Sequence, residues 1–421
     1  MEALGSVLFV LVATLGLLAA YLLYEPVPDG ITEPTKYRSF RAISRFMKLL
    51  ISISHLAHRD EPFASYYVKC LRYFFDKGGP KPPAEVEGSN IRSRVIDLGG
   101  VNARLYEPIK RSSSDLMPAF IYIHGGGMCI GSADAYDGLT RSLAEELDTV
   151  VVSIDYRLAP EHPFPTGHED CVAATRYFMQ HAENDYHVDQ RRIGVGGDSA
   201  GGHLSASVAN DIHDDPSLPD LKLQVLIYPS MQKIDLNTPS YQKYTADFGG
   251  SGILPLHLGI SFSNLASVGK IDPEFMKNAA KNNHTSSEFK KTSSEYKYVD
   301  HNQIPAEFRD PRYYKTRNDP QAGNAALWER ISHILLDARS APLMRHDLTG
   351  VPPAYVITCG FDSLRDDGIF YKNRLEEAGV AVTWSHYEGA FHGILWLSNA
   401  VRFTLGENMR KDIVAYFKEN I

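Results

Sequence analysis

Residues 191–205 read RRIGVGGDSAGGHLS, and the fold turns on how Ser199 sits in them. Gly197-Asp198-Ser199-Ala200-Gly201 satisfies the pattern G-x-S-x-G, with an apolar, strand-like run ahead and an alanine-rich, helix-like run behind. Such a serine is a nucleophile on a sharp strand-to-helix turn, or else a helix N-cap in a glycine-rich loop, because Ser caps helices well and Gly forms loops. Five residues do not separate the two readings. The rest of the chain does.

Strand-like and helix-like segments alternate around the motif. PAFIYIH (118–124) is followed by the helical AYDGLTRSLAEEL (135–147) and the strand DTVVVSIDY (148–156). HEDCVAATRYFMQHA (168–182) is helical, RRIGVGG (191–197) is a strand leading into AGGHLSASVANDI (200–212), and LKLQVLIYP (221–229) is a further strand. Short β-rich runs separated by helices of roughly ten to fifteen residues imply crossover connections and a mostly parallel sheet. Ahead of them, two alternating runs in RSRVIDLGGVNARLYEP (92–108) flank Gly99-Gly100 and read as a hairpin. The alternation stops between about 231 and 345, a polar stretch rich in Tyr, Asn and Lys with short helical pieces such as NAALWERISHILLDA (324–338). It resumes with VPPAYVITC (351–359), LRDDGIFYKNRLEEAG (364–379), VAVTWSHYEG (380–389) and a terminal helix near RKDIVAYFKEN (410–420). One α/β sheet flanked by helices and interrupted once by a cap insertion is expected; so long an insertion in a compact domain usually serves a function, as a lid does.

A serine hydroxyl needs a base to take its proton, and the base needs a third group to hold it. In hydrolase sheets the three come in the chain order Ser, acid, His. Past the strand PAYVIT only His386 and His392 remain. His386 lies inside an alternating strand; His392 lies in EGAFHG (388–393), a glycine-flanked loop just past it, and is the expected base. Asp362 stands directly after VITCGF, at the carboxyl end of a strand, where open parallel sheets place their ligands. Asp366 and Asp367 open the next helix, where negative charge suits the helix dipole for structural reasons. Upstream, YIHGGGMCIGS (122–132) places His124-Gly125-Gly126-Gly127 after a strand. Backbone N–H groups aimed at a developing oxyanion contribute roughly 3–4 kcal/mol each, and an H-G-G-G run plus the residue after the nucleophile, here Ala200, is the esterase arrangement. A phosphate loop is excluded by the absence of a following Lys-Ser/Thr and of G-x-G-x-x-G. Ser199 reads as the nucleophile.

The bulk numbers agree with an ordinary globular enzyme. The chain has 421 residues, 43% hydrophobic and 22% charged, with a net charge of −8 that leaves no basic surplus for nucleic acid. There is no H-E-x-x-H and no C-x-x-C, so neither a metal nor another cofactor is expected. The first residues differ: Ala3 to Tyr24 carry no charge, enough to cross the roughly 30 Å hydrocarbon core as a helix. The run lacks a preceding basic residue and exceeds the usual apolar core of a signal peptide, so an uncleaved anchor over 1–24 is expected. Residues 25–85 read as a helical segment, in part a layer packed on the main domain and in part an amphipathic piece near a membrane and the mouth of a site, and 86–421 as that domain with its cap at about 231–345.

HGGG, DYRLAPEHPFP, GDSAGG, DSLRDDG and FHG, in this order, resemble the hormone-sensitive-lipase-like branch of the α/β-hydrolases, and the leading apolar run resembles its arylacetamide deacetylase and neutral cholesterol ester hydrolase group. The resemblance implies the α/β-hydrolase fold, a triad of Ser199, Asp362 and His392, an oxyanion hole in the His124 to Gly126 run with Gly125, Gly126 and Ala200 as donors, and hydrolysis of apolar esters or amides, lipid esters included. A binding receptor on the same fold is the rival, disfavoured because such receptors lack the histidine. The resemblance also implies a single-pass type II protein of the endoplasmic reticulum membrane with its catalytic domain in the lumen. The sequon Asn283-His284-Thr285 agrees with that, as does the Cys129–Cys359 disulfide that the resemblance implies, which would require an oxidising compartment. Lys36, Arg38 and Arg41 after the span point the other way by the positive-inside rule, with Glu25 and Asp29 intervening. Met128 stands where the group has tryptophan, so the acyl pocket is expected to be shaped differently.

Overall fold

The structure is a computed structural model that describes residues 13, 14, 16, 20, 24, 27–77, 81–110, 115–249, 251–315 and 322–421. Eight strands form one sheet in the order β1-β2-β4-β3-β5-β6-β7-β8. The strands are β1 (Ile91–Asp97), β2 (Asn102–Pro108), β3 (Met117–Ile123), β4 (Val150–Ile154), β5 (Val188–Asp198), β6 (Leu223–Ile227), β7 (Ala354–Phe361) and β8 (Val382–Phe391). β1 and β2 are the expected hairpin, paired antiparallel from Ile91 opposite Pro108 to Asp97 opposite Asn102. β2 runs antiparallel to β4, and every later pair is parallel.

The strand sequences account for this. β4, β6 and β7 are buried at every position, as parallel strands covered on both faces must be, whereas β1 at the edge mixes buried and exposed residues. Along β3, Phe120 and Tyr122 enter a core closed by α3 (Asp137–Leu147) and α13 (Thr404–Asn420). Ala119, Ile121 and Ile123 enter the opposite core, closed by α4 (Thr166–Tyr186) and α5 (Ala200–His213). Period-two alternation thus divides one strand between two cores. Phe417 meets Phe120 edge-to-face at 5.3 Å and is fully buried, worth about 1.5–3 kcal/mol in removed apolar surface.

Two sets of helices stand apart from this sandwich. α1 (Pro34–His55) and α2 (Phe63–Lys77) precede the sheet. Between β6 and β7 lie α6 (Pro239–Phe248), α7 (Leu256–Val268), α8 (Pro273–Ala279), α9 (Ser287–Thr292) and α10 (Ala325–Leu335), with 3-10 turns between them. α11 (Arg365–Glu377) follows β7, and α12 (Ile394–Val401) follows β8. The expected span Ala3–Tyr24 falls, but for five residues, outside the described ones. Among the described residues no helix is long and apolar enough to cross a membrane.

Candidate active site

Each sequence element singled out above begins where a parallel strand stops. β3 runs into His124-Gly125-Gly126-Gly127, β5 into Ser199, β7 into Asp362 and β8 into His392. Because β3, β5, β6, β7 and β8 are successive neighbours, these ends share one edge of the sheet. Side chains 193 residues apart in sequence are brought together there.

Ser199 takes φ 56° and ψ −119°, a conformation rare for a residue with a Cβ. Its N–H donates to the Ile227 carbonyl at 2.8 Å, and its own carbonyl accepts from the His203 N–H at 3.2 Å. A Cβ on Gly197 or Gly201 would stand 2.1 or 2.0 Å from the Ile123 carbonyl oxygen. The motif's two glycines therefore permit the turn to press against the end of β3. Although Ser199 occupies the N-cap position of α5, its side chain makes no capping bond. Its Oγ–H donates instead to His392 Nε2 at 2.9 Å.

His392 Nδ1–H donates to Asp362 Oδ2 at 2.8 Å, while Asp362 Oδ1 accepts from the Leu364 N–H at 2.8 Å. One carboxylate oxygen is thus held by the backbone and the other sets the imidazole tautomer, leaving Nε2 free to accept from serine. Both side chains are buried. The other residues weighed are occupied elsewhere. His386 bonds Thr358 Oγ1 and Glu388 Oε2, each at 2.9 Å. Asp366 accepts from Arg365 Nε at 2.8 Å and the Ser240 N–H at 2.6 Å. Asp367 accepts from the Met231 N–H and Gln232 Nε2, each at 2.9 Å, tying the start of the cap to α11.

Asp198 is a member that sequence reasoning passed over. Its Oδ1 accepts from Tyr122 O–H at 2.8 Å and from the Gly125 N–H at 3.0 Å, and its Oδ2 accepts from Tyr136 O–H at 3.1 Å. Burial pushes its pKa up, opposed by the Tyr122 and Tyr136 hydroxyls and the Gly125 N–H. Burial first, and Asp198 next, hold Tyr122 and Tyr136 well above the usual phenol range. The readable signal was a carboxylate at the second position of G-x-S-x-G, with a tyrosine on the inner strand β3.

This network corrects the oxyanion assignment. The Gly125 N–H is spent on Asp198, and a Cβ on Gly125 would lie 2.6 Å from that carboxylate. The His124 side chain is turned away, with its ring stacked on Tyr156 at 4.4 Å and its Nδ1 2.8 Å from the Gly125 carbonyl. Gly126 has φ 106°, and its carbonyl accepts from the Cys129 and Ile130 N–H groups at 3.1 Å, folding the run back on itself. Among the described residues, the N–H groups of Gly126 and Gly127 have no acceptor in the protein, and both residues line the cavity with Ala200.

The disulfide expectation is also corrected. Cys129 and Cys359 are both free, buried thiols. Cys129 belongs to a small cluster with Val68, Phe262 and Leu265, and Cys359 to the core under β6, β7 and β8. The two thiols therefore sit in separate apolar clusters, Cys129 in the loop past β3 and Cys359 within β7. Burial pushes the Cys129 thiol up to about 12.

A cavity of about 710 Å³ lies above Ser199 and His392. Phe40 and Met47 of α1, Tyr67 and Phe75 of α2, and Leu256 and Phe262 of α7 roof it, and Trp396 of α12 walls one side. Met128 lines it with φ 60°. The buried Lys233 also reaches the wall, its Nζ donating to Ser340 Oγ at 2.9 Å and Ser267 Oγ at 3.3 Å. Burial among apolar neighbours pulls that ammonium down to about 8. Asn283 is half-buried in the cap and Thr285 is buried. Among the described residues, no group of His, Cys, Asp and Glu could hold a metal ion.

A strained serine at a strand end, hydrogen-bonded to a carboxylate-held histidine, defines the serine-hydrolase class. The chain belongs to the α/β-hydrolase fold family, which it matches over residues 120–254 and 298–396. It is 34% identical over 419 residues to neutral cholesterol ester hydrolase 1 of Bos taurus, covering 98% of this chain and 99% of that protein. It is 37% identical over 422 residues to arylacetamide deacetylase of Oryctolagus cuniculus, with 98% and 99% covered. Among solved structures, the hyperthermophilic esterase of the archaeon Pyrobaculum calidifontis aligns with a TM-score of 0.56 and 27% identity, covering 84% of this chain and 93% of that one.

Proposed function

We propose that the protein hydrolyses carboxylic esters of apolar substrates through an acyl-enzyme on Ser199. The observation that carries this reading is the chain of hydrogen bonds from Ser199 Oγ through His392 to Asp362 at the floor of an apolar cavity. His392 Nε2 takes the serine proton as Oγ bonds to the substrate carbonyl carbon, and Asp362 stabilises the imidazolium. Gly126, Gly127 and Ala200 supply N–H groups to the oxyanion. When the tetrahedral species collapses, the bond to the leaving alcohol or amine breaks and that group takes the proton from His392. Water then attacks the acyl-enzyme by the same route and releases the acid.

The cavity falls within the usual volume for a site that engulfs a drug-sized molecule, which supports bulky apolar esters, lipid esters among them, beside small arylacetamides. We further propose an anchor at Ala3–Tyr24 and a catalytic domain in the lumen of the endoplasmic reticulum. Asn283 in the cap supports that orientation; with both thiols free, the cysteines do not. Ser199→Ala should abolish labelling by a fluorophosphonate probe and lower turnover by at least about 10⁴-fold with an unchanged melting temperature, and normal turnover would refute the mechanism. Asn283→Gln should remove an endoglycosidase-sensitive mobility shift, and a wild-type chain with no such shift refutes the lumenal orientation.

A further inference from the structure

The geometry points to a lipid-bilayer docking face formed by α1 and α2, on which the cavity opens directly into the membrane. This rests on the ester-hydrolase and anchor readings above and names the partner of that same site.

The first observation is a misplaced apolar stripe. Ile43, Phe46, Leu50 and Ile53 of α1, with Leu56 at its C-cap, follow one another at steps of three and four, so they share one face of the helix. That face is turned outward, and the five side chains are exposed by 60, 45, 49, 55 and 59%. The protein buries a different set from this helix, Tyr37, Arg41 and Ile51. Tyr73 and Phe74 on α2 extend the exposed set at 72 and 51%. The second observation is continuity with the site, because Ile43 and Phe74 belong both to the exposed set and to the cavity wall. The apolar lining therefore reaches the outer surface here.

Charge and connectivity select the occupant. Residues 34–77 carry nine Lys or Arg against three Asp or Glu, within a chain of net charge −8. An apolar face on a segment that also exposes Arg38, Lys48 and Arg59 matches the acyl and phosphate layers of a bilayer. The uncharged run from Ala3 ends at Tyr24, and the Tyr24 carbonyl accepts from Arg45 Nη1 at 2.5 Å, between Ile43 and Phe46 on the same helix. A membrane anchor leaving the protein at that point brings this face, rather than another, down to the lipid. An apolar ester then passes from bilayer to cavity without crossing water.

The test uses the full chain in phosphatidylcholine vesicles, with p-benzoylphenylalanine replacing Phe46 or Ile53. Irradiation should cross-link both positions to labelled phosphatidylcholine, and the same group at the exposed Asn184 of α4 should not be cross-linked. Phe46→Asp with Leu50→Asp, neither of which lines the cavity, should slow hydrolysis of an ester dissolved in the vesicles about tenfold and leave p-nitrophenyl acetate turnover unchanged. Cross-links to a second copy of the chain, to residues 1–24, or to no lipid overturn the docking face, as does undiminished turnover of the vesicle ester by the double variant. Failure of the underlying readings looks different: a Ser199→Ala chain still active on p-nitrophenyl acetate breaks the hydrolase reading, and release of the wild type by alkaline carbonate breaks the anchor reading. In either case the cross-links still decide the face.

Discussion

At the floor of the cavity, Gly197 and Gly201 lie so near the Ile123 carbonyl that neither tolerates a methyl group, and Asp362 and His392 are almost wholly enclosed. At its roof, Ile43 and Phe74 stand half or more exposed on helices that precede the sheet. The floor holds reacting atoms within hydrogen-bond distance, where a shift of about 1 Å costs orders of magnitude in rate. The roof offers apolar surface, whose free energy varies smoothly with area and demands no fixed partner. Chemistry is therefore tied to the strand ends, and substrate choice is left to the helices added before β1 and after β6.

The largest effect expected from this contrast is at the floor. Asp362→Asn should keep the packing but free the imidazole to adopt the wrong tautomer, lowering kcat about 10⁴-fold with KM little changed; steady-state kinetics on one soluble ester decides it, and a loss below tenfold would mean that the carboxylate is not what orients His392. At the roof, Phe262→Ala should alter the order of preference along a series of acyl-chain lengths by tenfold or less, at a stability cost of about 3–5 kcal/mol for the emptied volume. A uniform loss across the series would place Phe262 with the floor instead.

The smallest effect concerns Lys233, between the two regions. Its ammonium titrates near 8 in the folded protein and near 10.4 unfolded. Below pH 8 both states are charged and the burial penalty is fully present. Between about 8 and 10.4 the unfolded chain holds more protons, so this group makes stability rise with pH. Subtracting the denaturation midpoints of Lys233→Met from those of the wild type should show an upward slope in that window, and a flat difference would mean that the lysine is solvated.

The order of strands and helices, the strand-end positions of Ser199, Asp362 and His392, and the glycine run after β3 were all legible, because periodicity and turn chemistry are local properties of a few neighbouring residues. His392 could be preferred to His386 without coordinates, since a residue inside an alternating strand is committed to one face. What tertiary structure alone decided was which atom each group spends its hydrogen bonds on and which groups are near enough to meet. Gly125 looked like an oxyanion donor until Asp198, 73 residues away, was seen to take its N–H. Cys129 and Cys359 looked pairable until each was seen to be buried in a different apolar cluster. The sequence of α1 left open a helix packed on the domain and an amphipathic piece at a membrane, because periodicity reveals that a helix has an apolar face but not which side of it the rest of the protein covers.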